Sequence, residues 1–421
     1  MDEIDLRVLF VSDVFPPLIG GQEREIQILG EGLRREGCDV AVCTLRQGTL
    51  PYFRQENGVR VYRIEGFFQK IPHLYSNPGR RFHPPVADQV VVNSLRKLIA
   101  YENPDIIHAN GWMLYSVLSA NKTHKLPLIV TFHDFGFTCP RRWSPLYFGG
   151  VCDNPLSAFS ECLQCGKNTY GLTKSFLSYC CIKLNRSFTC DALIFTNPNL
   201  LEKMGYLKPK KFYLEHPIET DFFKSIRVHE YKDRVLIWAK LDRMKGIELI
   251  FRIARMLPEY TFDSIFVGDD ASYYKAIKPH NVTFLSKLAY QEIPQFINRY
   301  PLVIGQLLVG AFGHAELEAM SCGKPVVAYW NRKYDAFYEI PCPILSSRNV
   351  EKLKDLVVSN MGNNQVGAAG REWVIKNHSV SKVSSKLVKL YGWVVEHRRL
   401  ATVPVAQSSN RWYSMAHFSP Q

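Results

Sequence analysis

Short apolar runs alternate along the chain with stretches of helical spacing. Residues 6–13 form a β-rich apolar run of the kind that fills a parallel sheet. A loop through Phe15-Pro16-Pro17 and Gly20-Gly21 follows. From Glu23 to Arg35, Ile26, Leu29 and Leu33 recur at helical spacing, and Gly37 stands where a helix ends. Residues 39–44 read as the next strand, so the opening is strand–loop–helix–strand, a βαβ unit. Further strands are expected at 59–64, 105–108, 128–133, 192–196 and 211–214, with a helix over 85–101. A second cycle opens at 234–238 and continues with a helix at 247–257. Strands at 263–267, 282–285, 302–305 and 325–329 follow, then a helix over 380–399 and a polar tail.

This pattern predicts an α/β protein of two doubly wound, Rossmann-like domains. The N-terminal domain spans 1–215 with a Cys-containing insertion at 136–170, and the second spans 225–385. A C-terminal helix and tail occupy 386–421. A chain of 421 residues also exceeds what one core organises. In such domains ligands bind at the carboxyl ends of the strands, in the crevice between domains. No run of 18 apolar residues marks a spanning helix, and the acidic start, Met1 to Asp5, is unlike a secretory leader. A cytoplasmic chain is expected.

The net charge of +13 is uneven. Residues 51–211 carry 20 basic and 10 acidic groups, whereas 212–350 carry 17 and 16. The surplus therefore falls on the first half, where a polyanion, an anionic membrane face or a phosphate-bearing ligand would account for it. No nucleic-acid-reading module is recognisable, so nucleic acid is not expected as a partner.

Three stretches carry candidate chemistry. Gly20-Gly21, between the first strand and helix, lets backbone approach a ligand ahead of a helix N-terminus, though a Gly-Gly pair also makes a plain turn. Lys240, Arg243, Lys245 and Gly246 follow the first strand of the second half and suit a diphosphate, or an ordinary basic loop. The most specific stretch runs from Leu308 to Val327. Its Gly-rich loop enters a short helix bearing Glu316 and Glu318, then Gly323-Lys324-Pro325 leads into a strand. The amides of Phe312, Gly313, His314 and Ala315 suit an anion, and Glu318, expected in the first helical turn, suits ligand hydroxyls.

In order and spacing these segments resemble the retaining, nucleotide-sugar-dependent glycosyltransferases of family 4. The similarity covers most of residues 6–395 and includes Thr131-Phe132-His133-Asp134. It implies the GT-B architecture, two facing Rossmann-like domains with an interdomain cleft. It also implies transfer of a hexose from a nucleotide-diphosphate sugar to a hydroxyl acceptor with retention of anomeric configuration. By the same resemblance, Gly20 and Gly21 approach the donor diphosphate or the acceptor, and His133 lies near the transferred sugar. Lys240 and Lys245 neutralise the leaving diphosphate with no cofactor needed for catalysis, and Glu318 holds the ribose hydroxyls. One departure stands out: the family's E-x7-E pattern puts its first acid at position 310, where this chain has Gly310. That glycine motivates an alternative, a catalytically degenerate nucleotide-sugar-binding protein of the same fold. A nucleotide-sugar epimerase-type hydrolase follows from fold analogy alone.

Cys139, Cys152, Cys162 and Cys165 lie in the insertion, and the close pair has the spacing of zinc ligands, so a structural zinc is one reading and uncoordinated thiols the other. Phe67, Phe68, Ile71 and Leu74 near Lys70 and Arg80-Arg81, with Arg141-Arg142 and Lys208, Lys210 and Lys211, suit an anionic membrane face or a solvated loop. The acceptor expected from this charge is lipid-linked or phosphate-bearing, on a protein peripheral to the inner membrane face.

Overall fold

The computed structural model describes residues 6–18, 20–71, 74–75, 79–140, 146–147, 150–152, 159–185, 187–205 and 207–402. Arg141, Arg142 and the tail from residue 403 lie outside the described residues. Contacts divide the chain into two units, 1–214 with 384–421, and 215–383. The C-terminal helix, expected as a segment of its own, thus belongs with the first unit.

The strands and helices of the first unit are β1 (Arg7–Ser12), α1 (Gly21–Arg35), β2 (Asp39–Leu45), β3 (Phe53–Glu56), β4 (Val59–Ile64), α2 (Gln89–Glu102), β5 (Ile106–Asn110), α3 (Leu114–His124) and β6 (Leu128–Phe132). After these come the small hairpin β7 (Leu146–Tyr147) and β8 (Gly150–Val151), then α4 (Phe159–Tyr170), α5 (Leu172–Asn185), β9 (Ala192–Phe195), α6 (Pro198–Lys203) and β10 (Lys210–Tyr213). The main sheet runs β10-β9-β6-β5-β1-β2-β4-β3, parallel except where β3 meets β4. Strands β5, β6 and β9 are buried along their whole length, which is why they are largely apolar rather than alternating, with His108, Asn110 and Thr131 as their buried polar positions. Strand β3 closes the edge with Arg54 and Glu56, charges that discourage further pairing.

The second unit contains β11 (Arg234–Ile237), α7 (Ile247–Met256), β12 (Thr261–Ile265), α8 (Ala271–Ile277), β13 (Val282–Leu285), α9 (Ile293–Asn298), β14 (Leu302–Ile304) and α10 (His314–Ser321). It continues through β15 (Val326–Val327), α11 (Val350–Ser359) and α12 (Asn364–His378). Its sheet runs β13-β12-β11-β14-β15, all parallel. The last helix, α13 (Val380–Thr402), returns to the first unit. There Tyr391 Oη lies 2.6 Å from His108 Nδ1, and Arg398 donates from one nitrogen to both oxygens of Asp191, at 2.7 and 2.9 Å.

Each sheet reverses its strand order once, between β1 and β5 in the first unit and between β11 and β14 in the second. At those points the neighbouring connections depart to opposite faces and leave a crevice at the strands' carboxyl ends. Among the described residues no helix is long and apolar enough to cross a membrane.

Candidate active-site residues

The reversal point of the first unit gathers polar groups the sequence does not pair. Asp13 leaves the end of β1, and its two oxygens accept from the backbone N–H groups of Met113 (2.7 Å) and Trp112 (3.1 Å). That carboxylate fills the space beside Gly111, where an added Cβ would come within 2.7 Å of it at φ +73°. His133, just past β6, lies with Nε2 2.8 Å from Asn110 Oδ1 and Nδ1 3.7 Å from the buried Glu25 carboxylate of α1. Glu25 and Asn110 thus orient the imidazole from two sides. Beneath it His108 is enclosed between Tyr391 and Thr131 Oγ1, 2.5 Å from Nε2, and burial holds its pKa down to about 3.

Gly20 and Gly21 differ in role. Gly20 has an ordinary extended backbone (φ −134°), so it is needed for space. A Cβ there would strike the Glu23 carboxylate and lie 2.7 Å from Arg80 Nη2, where these two residues form an ion pair. Gly21 opens α1 with nothing within 4 Å of its would-be Cβ, so it borders open space. The pairing with Glu23 also means that Arg80 is no surface cation. Arg81 is likewise engaged, donating to the Gln69 carbonyl oxygen at 2.5 Å, with its backbone N–H on Gln47 Oε1 at 2.9 Å.

In the second unit the loop after β11 carries Lys240, exposed, and Lys245, half-buried. Gly246 ends this turn at φ +73° against Leu307 and Leu308, and Leu307 N–H donates to the Lys245 carbonyl at 2.9 Å. The basic loop is thereby fixed beside the connection from β14 to α10. Among the described residues neither ammonium forms an ion pair with an acid. Asp242, between them in sequence, accepts from Asp269 N–H at 2.6 Å, and burial raises its pKa.

Helix α10 begins at His314, so Glu318 lies in its second turn rather than the first, and Glu316 takes the first-turn place. Glu316 is buried and structural, accepting from Gln306 N–H and Gly313 N–H, each at 2.9 Å, so it does not replace an acid at position 310. Glu318 accepts from the Trp238 indole N–H at 3.2 Å, which brings α10 to the carboxyl end of β11 and the basic loop. His314 and Ala315 present the first amides of α10, groups with no intrahelical acceptor. The His314 ring lies 4.9 Å from that of His216. Phe312 turns inward instead, stacked on Trp330 at 4.0 Å and 5°, so its side chain packs and only its backbone borders the loop.

Gly310 is a structural requirement. It takes φ +73°, and a Cβ there would lie 2.5 Å from Tyr329 Cε1. The loop around it is held by Gln306, fully buried, whose Oε1 accepts from Leu308 and Val309 N–H at 3.1 and 2.7 Å and whose Nε2 donates to the Ala311 and Tyr329 carbonyls. Gln306 was not singled out from sequence, although a lone amide inside the apolar run 302–309 was a signal for it. Glu25, Asn110 and Trp238 had no such signal. As for the cysteines, Cys139 and Cys162 lean on the first unit's core. Among the described residues no three of Cys139, Cys152, Cys162 and Cys165 bring their sulfurs within 4.8 Å of one another.

Two doubly wound units, each with a strand-order reversal, have the architecture of the GT-B class. A model of Glycosyltransferase Family 4 matches residues 19–158, and one of Glycosyl transferases group 1 matches 218–334. The chain belongs to the family-4-like GT-B glycosyltransferases. It is similar to an uncharacterised glycosyltransferase of Methanocaldococcus jannaschii, 25% identical over 76% of this chain and 80% of the relative. It is also similar to one of the subunits of Arabidopsis thaliana phosphatidylinositol N-acetylglucosaminyltransferase, 22% identical over 76% of this chain and 66% of the relative. The Anabaena protein HepE, solved in complex with UDP and glucose, has the same fold, with a TM-score of 0.63 at 15% identity over 92% of this chain and all of that one.

Proposed function

We propose that the protein transfers a hexose from a nucleoside-diphosphate sugar to a hydroxyl of a lipid-linked or phosphate-bearing acceptor, with retention at the anomeric carbon. One observation carries the reading: two lysines without acidic partners among the described residues stand in a loop fixed beside α10, whose Glu318 is aimed by Trp238 at the same strand edge. Lys240 and Lys245 supply positive charge where a diphosphate leaves, so the reaction needs no metal ion for that task. Glu318 keeps acceptor capacity for ribose hydroxyls. The Anabaena protein's UDP and glucose support this class of donor.

In the step itself the bond from C1 to the diphosphate oxygen breaks and the acceptor oxygen bonds to C1 on the same face. The acceptor's proton passes to the leaving phosphate. No carboxylate nucleophile is required, so Gly310 does not argue against turnover. His133, oriented by Glu25 and Asn110, serves the sugar or acceptor from the first unit. The basic surplus over 51–211 and the phosphatidylinositol named in the Arabidopsis relative favour a lipid acceptor, reached by peripheral association with a cytoplasmic membrane face.

The test is incubation with a panel of nucleotide sugars and lipid acceptors, following free nucleotide, transferred sugar and the anomeric configuration of the product. Transfer with retention, lost in Lys245→Ala and Glu318→Ala, is the expected result. Nucleotide binding without turnover across the panel overturns the transferase reading, and full activity of both variants overturns the site.

A further inference from the structure

Helices α4 and α5 form a hairpin whose outer surface is at odds with a water-facing one. Its inner face is well anchored. Tyr179 and Ile182 are buried in the first unit's core, Asn185 donates to the Pro85 carbonyl at 3.3 Å, and Gly166 lets Ser175 pack directly on α4. At about 100° per residue, Ser175, Tyr179 and Ile182 fall on one arc of α5. Leu172, Phe176, Leu177 and Leu184 fall on another, spanning about 140°. A helix that is apolar on both sides belongs in an interior, yet this second arc is open. Leu184 is 82% exposed, and the other three are 44–54% exposed. Phe159 of α4, 46% exposed, extends the same surface, with its ring 6.1 Å from Phe176 and 5.1 Å from Tyr179.

The charges around this surface are of one sign. Between residues 159 and 185 the chain has Lys167, Lys174 and Lys183 against a single acid, Glu161. Lys183 Nζ sits 3.3 Å from Tyr179 Oη, and among the described residues neither Lys167 nor Lys174 has an acidic partner. Exposed leucine and phenylalanine flanked by lysine is the composition of a helix lying in the headgroup region of an anionic bilayer, where lysine stems run along apolar surface to reach phosphate. A second copy of the chain fits less well, because a two-fold pairing would set these lysines against themselves. The loop at 67–81, which the sequence offered for this task, has Arg80 and Arg81 engaged within the unit.

We infer that the α4–α5 hairpin is the surface by which this protein docks on an anionic membrane, with Phe159, Leu172, Phe176, Leu177 and Leu184 entering the headgroup layer and the lysines contacting lipid phosphate. The inference rests on the reading of the first unit as the side that meets a lipid acceptor, and it names where that unit meets the bilayer.

The experiment is cosedimentation of the full chain with phosphatidylcholine vesicles, with and without phosphatidylglycerol, at rising salt. Hydrogen exchange of residues 172–185 and the sedimentation mass are followed in parallel. The wild type should bind the anionic vesicles, weaken with salt and gain amide protection in α5. Phe176→Ser/Leu184→Ser should lower binding about tenfold, and Lys167→Glu/Lys174→Glu by a similar factor or more. Both variants should release nucleotide at the wild-type rate with a short, water-soluble acceptor, which also shows that they are folded. Failure of the whole transferase reading would instead appear as no turnover in any protein while vesicle binding persists. Wild type that ignores vesicles, variants that bind as wild type, or a dimer that Phe176→Ser/Leu184→Ser splits without any vesicle effect would each overturn the inference.

Discussion

Restoring the family's acid at position 310 should harm this protein. Gly310 has φ +73°, a region that costs a residue with a side chain about 1–2 kcal/mol. A Cβ there would also sit 2.5 Å from Tyr329 Cε1, and crowding of that kind costs about 1–3 kcal/mol. The ring cannot simply withdraw. Its backbone N–H and carbonyl are both bonded to Gln306, at 2.8 and 2.7 Å, and the Arg348 guanidinium lies 4.4 Å above it. Gly310→Ala and Gly310→Glu should therefore both lose about 2–5 kcal/mol, and Gly310→Glu should not gain transfer rate. Urea midpoints for Gly310→Ala, Tyr329→Ala and the double variant form a cycle. The crowding part should reappear there as a coupling of about 1–3 kcal/mol. A Gly310→Ala protein within about 0.5 kcal/mol of wild type, or a coupling near zero, would refute the reasoning.

Gln306→Leu should cost about 3 kcal/mol in urea unfolding, since it leaves two loop amides and two carbonyls without their buried partner. Lys240→Ala and Lys245→Ala should each lower kcat/KM about a hundredfold with Tm unchanged, the pattern of lost transition-state charge neutralisation. Equal losses of Tm would mark the lysines as structural. Burial holds the pKa of His83 down to about 4 and that of His108 down to about 3, against about 6.5 in the unfolded chain. The unfolded state therefore takes up their protons first. Stability is complete above pH 6.5 and falls as pH drops toward 3, by about 2 kcal/mol per histidine between pH 7 and pH 5. In His108→Leu the slope of unfolding free energy against pH in that range should fall by about 1 kcal/mol per unit on average, and an unchanged slope would exclude the effect.

The two doubly wound sheets were legible because strands buried on both faces are mostly apolar, as 128–132 and 192–195 are, and short apolar runs alternate with helical spacing along the chain. Lys240 and Lys245 follow an expected strand and Gly21 opens a helix, places the sequence pattern indicates, whereas Glu318 sits one turn further into α10 than the pattern suggests. What spacing could not give was the partner across the fold. Arg80 finds Glu23 57 positions away, and His108 finds Tyr391 283 positions away, so neither pairing leaves a local pattern. Hence the basic loop at 67–81 reads as surface, and nothing local shows that Gly20 makes room for an ion pair. Glu316 and Glu318 were correctly expected to point apart, but only the backbone contacts of Glu316 show which one caps its helix. Helix α5 gives no single face because its apolar residues fall on two arcs around the axis.

The first unit is written in two pieces, with the 169 residues of 215–383 between them. On the ribosome the sheet from β1 to β10 emerges early, yet His108 has no Tyr391 and Asp191 no Arg398 until the last helix is made. The nascent first unit must wait, with one edge of its core uncovered, while the second unit, continuous in sequence, can complete itself at once. A fragment ending at residue 214 should therefore be a poor stand-in for this unit. A circular permutant that fuses α13 ahead of β1 should fold it in a single pass.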